Sequence, residues 1–194
     1  MTMRRREFLA GALAAALAPR SFAAEEAEPP NWDRLRKGGM VLLMRHSATT
    51  LAGVDPKGFR MGECSTQLNL SDEGRAQATR VGERIRAEKV PIARVYTSPF
   101  CRCHETGILA FGKAEDWGPL ATFFYEPHLE ENYTQRVKQR IGSYSSHEMG
   151  GNVVMVTHNT NIASLTKLSV ALGEIVVLKP DGCCGFRVMD RLDL

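Results

Sequence analysis

Three stretches of this chain each run from apolar residues into a cation or an imidazole. Val41-Leu42-Leu43-Met44 leads into Arg45-His46, Val153-Val154-Met155-Val156-Thr157 into His158, and Thr97-Ser98-Pro99-Phe100-Cys101 into Arg102. Arginine offers planar paired donors that match phosphate oxygens, and imidazole can attack phosphorus or donate a hydrogen bond to its oxygens. Two arginines and two histidines brought to one place would therefore suit a dianionic phosphate.

The elements that must position them are short and apolar. Four apolar residues after Gly38-Gly39 are too few for a helix and suit a buried strand, which puts Arg45 and His46 at its carboxyl end, where ligands bind in open α/β sheets. Val90 to Tyr96 and Asn152 to Thr157 predict two more such strands. Between them, Ser71 is a helix N-cap with Asp72 and Glu73 in the first turn, and Ala78, Val81 and Ile85 keep helical spacing beneath an outward charged face. A helix from Pro99 to Phe111 is expected to bury Ile108, Leu109 and Phe111. His104, two residues past Arg102, falls on another face of that helix and is read as a surface or packing residue. Ser47 to Gln67, with Gly53, Pro56, Gly58 and Gly62, reads as a loop over the pocket that selects substrate. Gly112 to Pro119 reads as a loop, Leu120 to Tyr125 as a short strand, Tyr133 to His147 as a helix with Val137 and Ile141 inward, and Asn159 to Leu168 as a helix. Glu174 to Lys179 and Gly185 to Leu192 read as closing strands. This alternation gives a three-layer α/β/α fold.

Four pieces in order carry a resemblance: Arg45-His46-Ser47; Leu70-Ser71-Asp72-Glu73-Gly74-Arg75-Ala76-Gln77-Ala78; Thr97-Ser98-Pro99-Phe100-Cys101-Arg102-Cys103-His104-Glu105-Thr106; and Val156-Thr157-His158-Asn159. In these the chain resembles the histidine phosphatase superfamily, the phosphoglycerate mutase-like proteins, over nearly everything after Met40. The resemblance implies a mixed, mainly parallel sheet. It implies that His46 is the nucleophile and is transiently phosphorylated, that Arg45 and Arg102 hold the phosphate, and that His158, with Asn159 beside it, completes the pocket, with no metal or cofactor required. The family commonly has Gly after Arg-His, where this chain has Ser47, a residue small enough to keep the turn. One branch of the family takes its proton donor from an Asp directly after the second His, and that position is Asn159 here. Another takes a Glu from a stretch resembled by Leu129-Glu130-Glu131-Asn132-Tyr133. That makes Glu131 the expected general acid, with Glu130 next and Glu63 and Glu174 as remoter candidates. Cys64 is expected to pair with either Cys101 or Cys103, since both stretches should approach the pocket.

At 194 residues, 43% hydrophobic and 24% charged, the chain has the make-up of one soluble globular domain. A net charge of +3 without a basic tract argues against nucleic acid. Residues 1–24 have the charged and apolar regions of an export signal, and Arg5-Arg6-Glu7-Phe8-Leu9 resembles a twin-arginine signal, with small residues around Ala23 for cleavage. An uncleaved anchor is the rival, but the apolar run is shorter than the ~20 residues a span needs. Residues 25–38 read as a leader, with a short helix from Trp32 to Lys37, and residues 39–194 as the catalytic domain. Spacing alone would allow a metal at Cys101 and Cys103, but zinc is not expected, because no second close Cys or His cluster accompanies that Cys-x-Cys. The expectation is a periplasmic phosphomonoesterase that meets the export machinery only in passage. Its substrate is a phosphorylated small molecule or glycolipid, such as an envelope sugar, since the nearest resemblance is to exported lipopolysaccharide-core phosphatases. The alternatives are a phosphohistidine phosphatase of signalling proteins, disfavoured by export, and an idle phosphate-binding module.

Overall fold

The computed structural model describes residues 31–50, 53–144 and 150–194. The expected signal and residues 25–30 of the expected leader lie outside these. At the centre stands β1 (Val41–Arg45), whose neighbours explain its composition. It pairs in parallel with β4 (Asn152–Thr157) on one side and antiparallel with β5 (Ile175–Pro180) on the other. With β2 (Ile92–Thr97), β3 (Glu115–Asp116) and β6 (Phe186–Leu192), the order across the six-stranded sheet is β3-β2-β4-β1-β5-β6. The sheet is thus mixed: β3, β2, β4 and β1 are parallel, β5 runs against them, and β6, antiparallel to β5, runs with them again.

Both faces are covered, so the central strands carry apolar residues at successive positions rather than alternating with polar ones. Leu42 and Met44 pack with Leu35, Val81, Ile85 and Cys103, beneath α1 (Trp32–Arg36), α2 (Asp72–Ala87) and α3 (Cys101–Phe111). Val41 and Leu43 turn the other way, onto Val137, Ile141 and Ile162 of α4 (Glu130–Gly142) and α5 (Asn159–Thr166). This is the three-layer α/β/α architecture. Folded structure reaches back before residue 39, because Leu35 is in the core and its carbonyl accepts from Asn152 Nδ2 at 2.8 Å.

Four local expectations are corrected. Leu120 to Tyr125 is not a strand: a 3-10 turn spans Gly118–Leu120, and the edge strand is β3, two residues paired to Tyr96 and Thr97 within the stretch read as a loop. Ile108 is 42% exposed, because the buried stripe of α3 runs through Arg102, Cys103, Thr106, Gly107 and Ala110. Those small residues let α2 come close, and a Cβ on Gly82 would lie 2.0 Å from the Ala110 carbonyl oxygen. The α4 helix starts at Glu130 rather than Tyr133 and stops at Gly142, where a Cβ would meet Gly185 N at 2.3 Å. Finally, α5 ends at Thr166 rather than Leu168, with Lys167 in the left-handed conformation.

Candidate active site

Register brings the two histidines together. Arg45 lies opposite Thr157 in the parallel β1–β4 ladder, and His46 N donates to the Thr157 carbonyl at 3.0 Å, so each strand delivers its histidine at the same level. The rings meet edge to face with centroids 5.4 Å apart. On the next strand over, Ser98 N donates to the Val156 carbonyl at 2.8 Å, and the chain then turns into α3 with Arg102 on its buried side. Arg45, His46, Arg102, His158 and Asn159 all line one cavity of about 320 Å3.

The second matching piece has a purpose that its residue types alone did not show, which is to hold the turn after His46. Ser71 N donates to the Ala48 carbonyl at 3.0 Å, while the Ser71 hydroxyl caps α2 by accepting from Gly74 N at 3.0 Å. Gly74 is required by close approach, since a Cβ there would sit 1.8 Å from the Ala48 oxygen. Gln77 accepts from Ala48 N at 3.1 Å and donates to the Leu172 carbonyl at 2.7 Å. Thr106 ties the same turn to α3, accepting from Ser47 N at 3.1 Å and donating to the Arg102 carbonyl at 2.7 Å. Ser47 does not adopt a positive φ, so the turn tolerates it in place of glycine.

Protonation follows from these contacts. His46 Nδ1 lies 2.9 Å from the Ser47 carbonyl, an acceptor only, so Nδ1 carries the proton and Nε2 keeps its lone pair. Burial pushes the His46 pKa down to about 3, and Arg102 and Arg45 add to this against a raising contribution from the Ser47 hydrogen bond. His158 is held well below its ordinary value, first by burial and then by His46 and the two arginines. Its Nε2 lies 2.8 Å from Ser98 Oγ. The Arg102 guanidinium, a donor only, faces Nδ1 at 3.5 Å, which favours the tautomer in which Nε2–H donates to Ser98. Both imidazoles are therefore neutral near pH 7, and His46 is poised as a nucleophile.

The arginines are held differently. Arg45 Nη1 donates to the Val170 carbonyl at 2.7 Å, and its buried Nε has no partner among the described residues, leaving a donor for an oxyanion. Asn159 supports this arrangement, because its Oδ1 accepts from Val170 N at 2.9 Å. Arg102 Nη1 is gripped by both oxygens of Asp55, at 2.9 and 3.1 Å. Asp55 was missed from sequence, as an acid in a loop without periodicity carries no signal of its own.

The expected general acids do not join this group. Glu131 is exposed at the start of α4 and accepts from Gln135 at 3.0 Å, and it does not line the cavity. Its position follows from α4 beginning at Glu130, which places it in the solvent-facing first turn. Glu130 accepts from Ser164 at 3.0 Å, Glu63 pairs with Arg60, and Glu174 is buried against Arg191 and Ala171 N. Among the described residues, the carboxylate that lines the cavity is Asp55.

The cysteine alternative resolves to Cys64–Cys101, which fastens the loop to the start of α3. Cys103 is free, buried against His158, and its thiol is pushed up to about 12 by burial, which makes it inert. His104 is at the surface as expected, 2.7 Å from Asp116. It borders a separate cavity of about 550 Å3 that shares no residue with the histidine pocket and whose charges are paired among themselves, Arg75 with Glu105 and His104 with Asp116. Among the described residues no group of three or more His, Cys, Asp or Glu could hold a metal ion.

Residues 41–131 match the model of the histidine phosphatase superfamily, branch 1. That region is just under half of the 194 residues, and it contains Arg45, His46 and Arg102. None of the curated proteins matches it in sequence. Among solved structures it is similar to the protein histidine phosphatase SixA complexed with tungstate, at 20% identity and a TM-score of 0.55, covering 79% of this chain and 96% of that one. It is also similar to a phosphoglycerate mutase from Bacillus anthracis, at 18% and 0.57, covering 78% and 91%. A third is phosphoserine phosphatase from Entamoeba histolytica in complex with 3-phosphoglyceric acid, at 15% and 0.56, covering 80% and 97%. At these identities the likeness is one of fold.

Proposed function

We propose that this protein is an exported phosphomonoesterase that passes its phosphoryl group through His46 and acts on a phosphorylated sugar of the cell envelope. The observation that carries the chemistry is the contact between His46 Nδ1 and the Ser47 carbonyl at 2.9 Å. With Nδ1 tied to the Ser47 carbonyl, Nε2 attacks phosphorus in line, while Arg45 and Arg102 stabilise charge on the equatorial oxygens and His158 completes the cradle.

The rest of the cavity supports a neutral, hydroxylated leaving group. Thr122, Thr160 and Asn159 line it with hydroxyls and an amide, and Val54 and Phe124, each 57% exposed, border it with apolar surface on which a sugar ring can lie. A phosphorylated acid would bring its carboxylate toward Asp55, with no lining cation among the described residues besides Arg45 and Arg102. The location reading rests on Arg5-Arg6 and the apolar run after it, and is supported by the Cys64–Cys101 disulfide, since such bonds persist in oxidising compartments.

The test is a panel of sugar phosphates, phosphoserine, 3-phosphoglycerate, a phosphohistidine peptide and p-nitrophenyl phosphate on the purified protein, paired with fractionation of expressing cells. The highest kcat/KM is expected for sugar phosphates, with the protein in the periplasmic fraction. Preference for the phosphohistidine peptide, or phosphate binding without turnover of any ester, would overturn the reading.

A further inference from the structure

We propose that Asp55 is a positioning residue, which fixes the edge of Arg102 that meets the phosphate and offsets part of its charge so that product phosphate is released. This rests on the phosphomonoesterase reading above. The Asp55 side chain is 1% exposed, and every contact it makes points to a built device. Its Oδ1 accepts from Arg102 Nη1 at 2.9 Å and from Leu68 N at 2.9 Å, and its Oδ2 accepts from Arg102 Nη1 at 3.1 Å and from the Tyr125 hydroxyl at 2.8 Å. An ionised carboxylate has about four acceptor sites, and all are in use here. A group so engaged has no proton to give a leaving oxygen, so its work is orientation and charge.

The orientation is specific. Both Asp55 oxygens, and the Leu68 carbonyl at 3.4 Å, take Nη1, while Nη2 faces His158 Nδ1 at 3.5 Å. Arg102 also lies over the Phe100 ring at 4.5 Å, so its plane is held from the face as well as from the edge. The loop that carries Asp55 is itself anchored to the start of α3, by the Cys64–Cys101 disulfide and by Cys101 N donating to Gln67 Oε1 at 3.0 Å. Arg102 is the residue after Cys101, so loop and guanidinium are fastened at two adjacent points.

The test is Asp55→Asn, alone and combined with Arg102→Ala, with folding checked by thermal melts. For the single variant kcat is expected to fall by up to about 100-fold, the scale of a misplaced catalytic group, while the inhibition constant of inorganic phosphate falls as well, because a negative charge has left the cradle. In the Arg102→Ala background the same substitution should change little, which is the signature of acting through that residue. Tyr125→Phe, which keeps the carboxylate and removes one of its anchors, should lower kcat without tightening phosphate. Weaker phosphate binding by Asp55→Asn, or an effect that simply adds to that of Arg102→Ala, would overturn the proposal. Calorimetry with inorganic phosphate on the four proteins of the cycle reads the same coupling without turnover, so it still decides the matter should the esterase reading fail.

Discussion

The two halves of this pocket are built by different means. On one side, His46 and His158 sit at the ends of adjacent parallel strands, levelled by backbone register and by His46 N bonding to the Thr157 carbonyl. On the other, Arg102 is aligned by Asp55 from a loop of irregular conformation that a disulfide holds in place. The nucleophile is placed by the sheet, which cannot shift without breaking the core, whereas the clamp on Arg102 depends on side chains and a cross-link that can be loosened separately. Loss of the strand-placed nucleophile should therefore abolish chemistry outright, and loss of a side chain that holds the phosphate should weaken it in graded steps.

The largest effect is expected from His46→Ala, which should remove turnover entirely, since it deletes the nitrogen that attacks phosphorus. Arg45→Ala and Arg102→Ala should each cost on the order of 10²–10³ in kcat, as does loss of one preorganised donor elsewhere. Steady-state assays with p-nitrophenyl phosphate separate the two classes. Comparable residual activity in His46→Ala and Arg102→Ala would erase the distinction between the halves.

Breaking the cross-link comes next. Cys64→Ser with Cys101→Ser should raise KM more than it lowers kcat and should cost about 3–4 kcal/mol in urea unfolding, because a loop with sequence separation 37 is released in the unfolded chain. An unchanged KM would mean that the loop holds Arg102 without it.

The strand half carries a cost that depends on pH. Both histidine pKa values are depressed in the folded state, so between the unfolded value near 6.5 and the folded value, about 3 for His46, the unfolded chain binds more protons. Stability from these groups is thus fully present above pH 6.5 and is lost as pH falls toward 3, by about 1.4 kcal/mol per pH unit for one histidine. Urea midpoints at pH 7, 5.5 and 4.5 should decline less steeply in His46→Asn than in wild type. Parallel declines would show that His46 does not titrate this way.

The smallest effect belongs to Glu131→Gln. An exposed carboxylate bonded to Gln135 should, when removed, change hydrolysis of alkyl and aryl phosphates equally and by little. A selective loss on alkyl phosphates, whose leaving oxygen needs a proton, would restore Glu131 as the acid and require α4 to move.

Legibility in the sequence divides along the same line. The strands announce themselves because both faces of the sheet are buried, leaving β1 and β4 as apolar runs that stop abruptly at Arg45-His46 and His158. Ser71 declares the start of α2 by its own chemistry. The partner of Cys64 was narrowed to two residues and no further, because Cys101 and Cys103 lie two apart on one helix and only three-dimensional phase separates the exposed side from the one facing His158. Asp55, Tyr125 and Ser98 act through contacts over distances in the chain that leave no local pattern. Phe123, Phe124 and Tyr125 have strand-like composition, yet Phe124 and Tyr125 line the cavity instead of pairing, so propensity there was overridden by the site.

The central claim is that His46 carries the phosphoryl group. Rapid acid-free quenching of wild-type protein with a labelled substrate, followed by peptide mapping under alkaline conditions that preserve phosphohistidine, tests it most directly. Acid-labile label is expected on the peptide containing Arg45-His46-Ser47, attached to His46 and absent in His46→Ala. Label on His158, on a serine or on a carboxylate, or turnover with no covalent label, would contradict it.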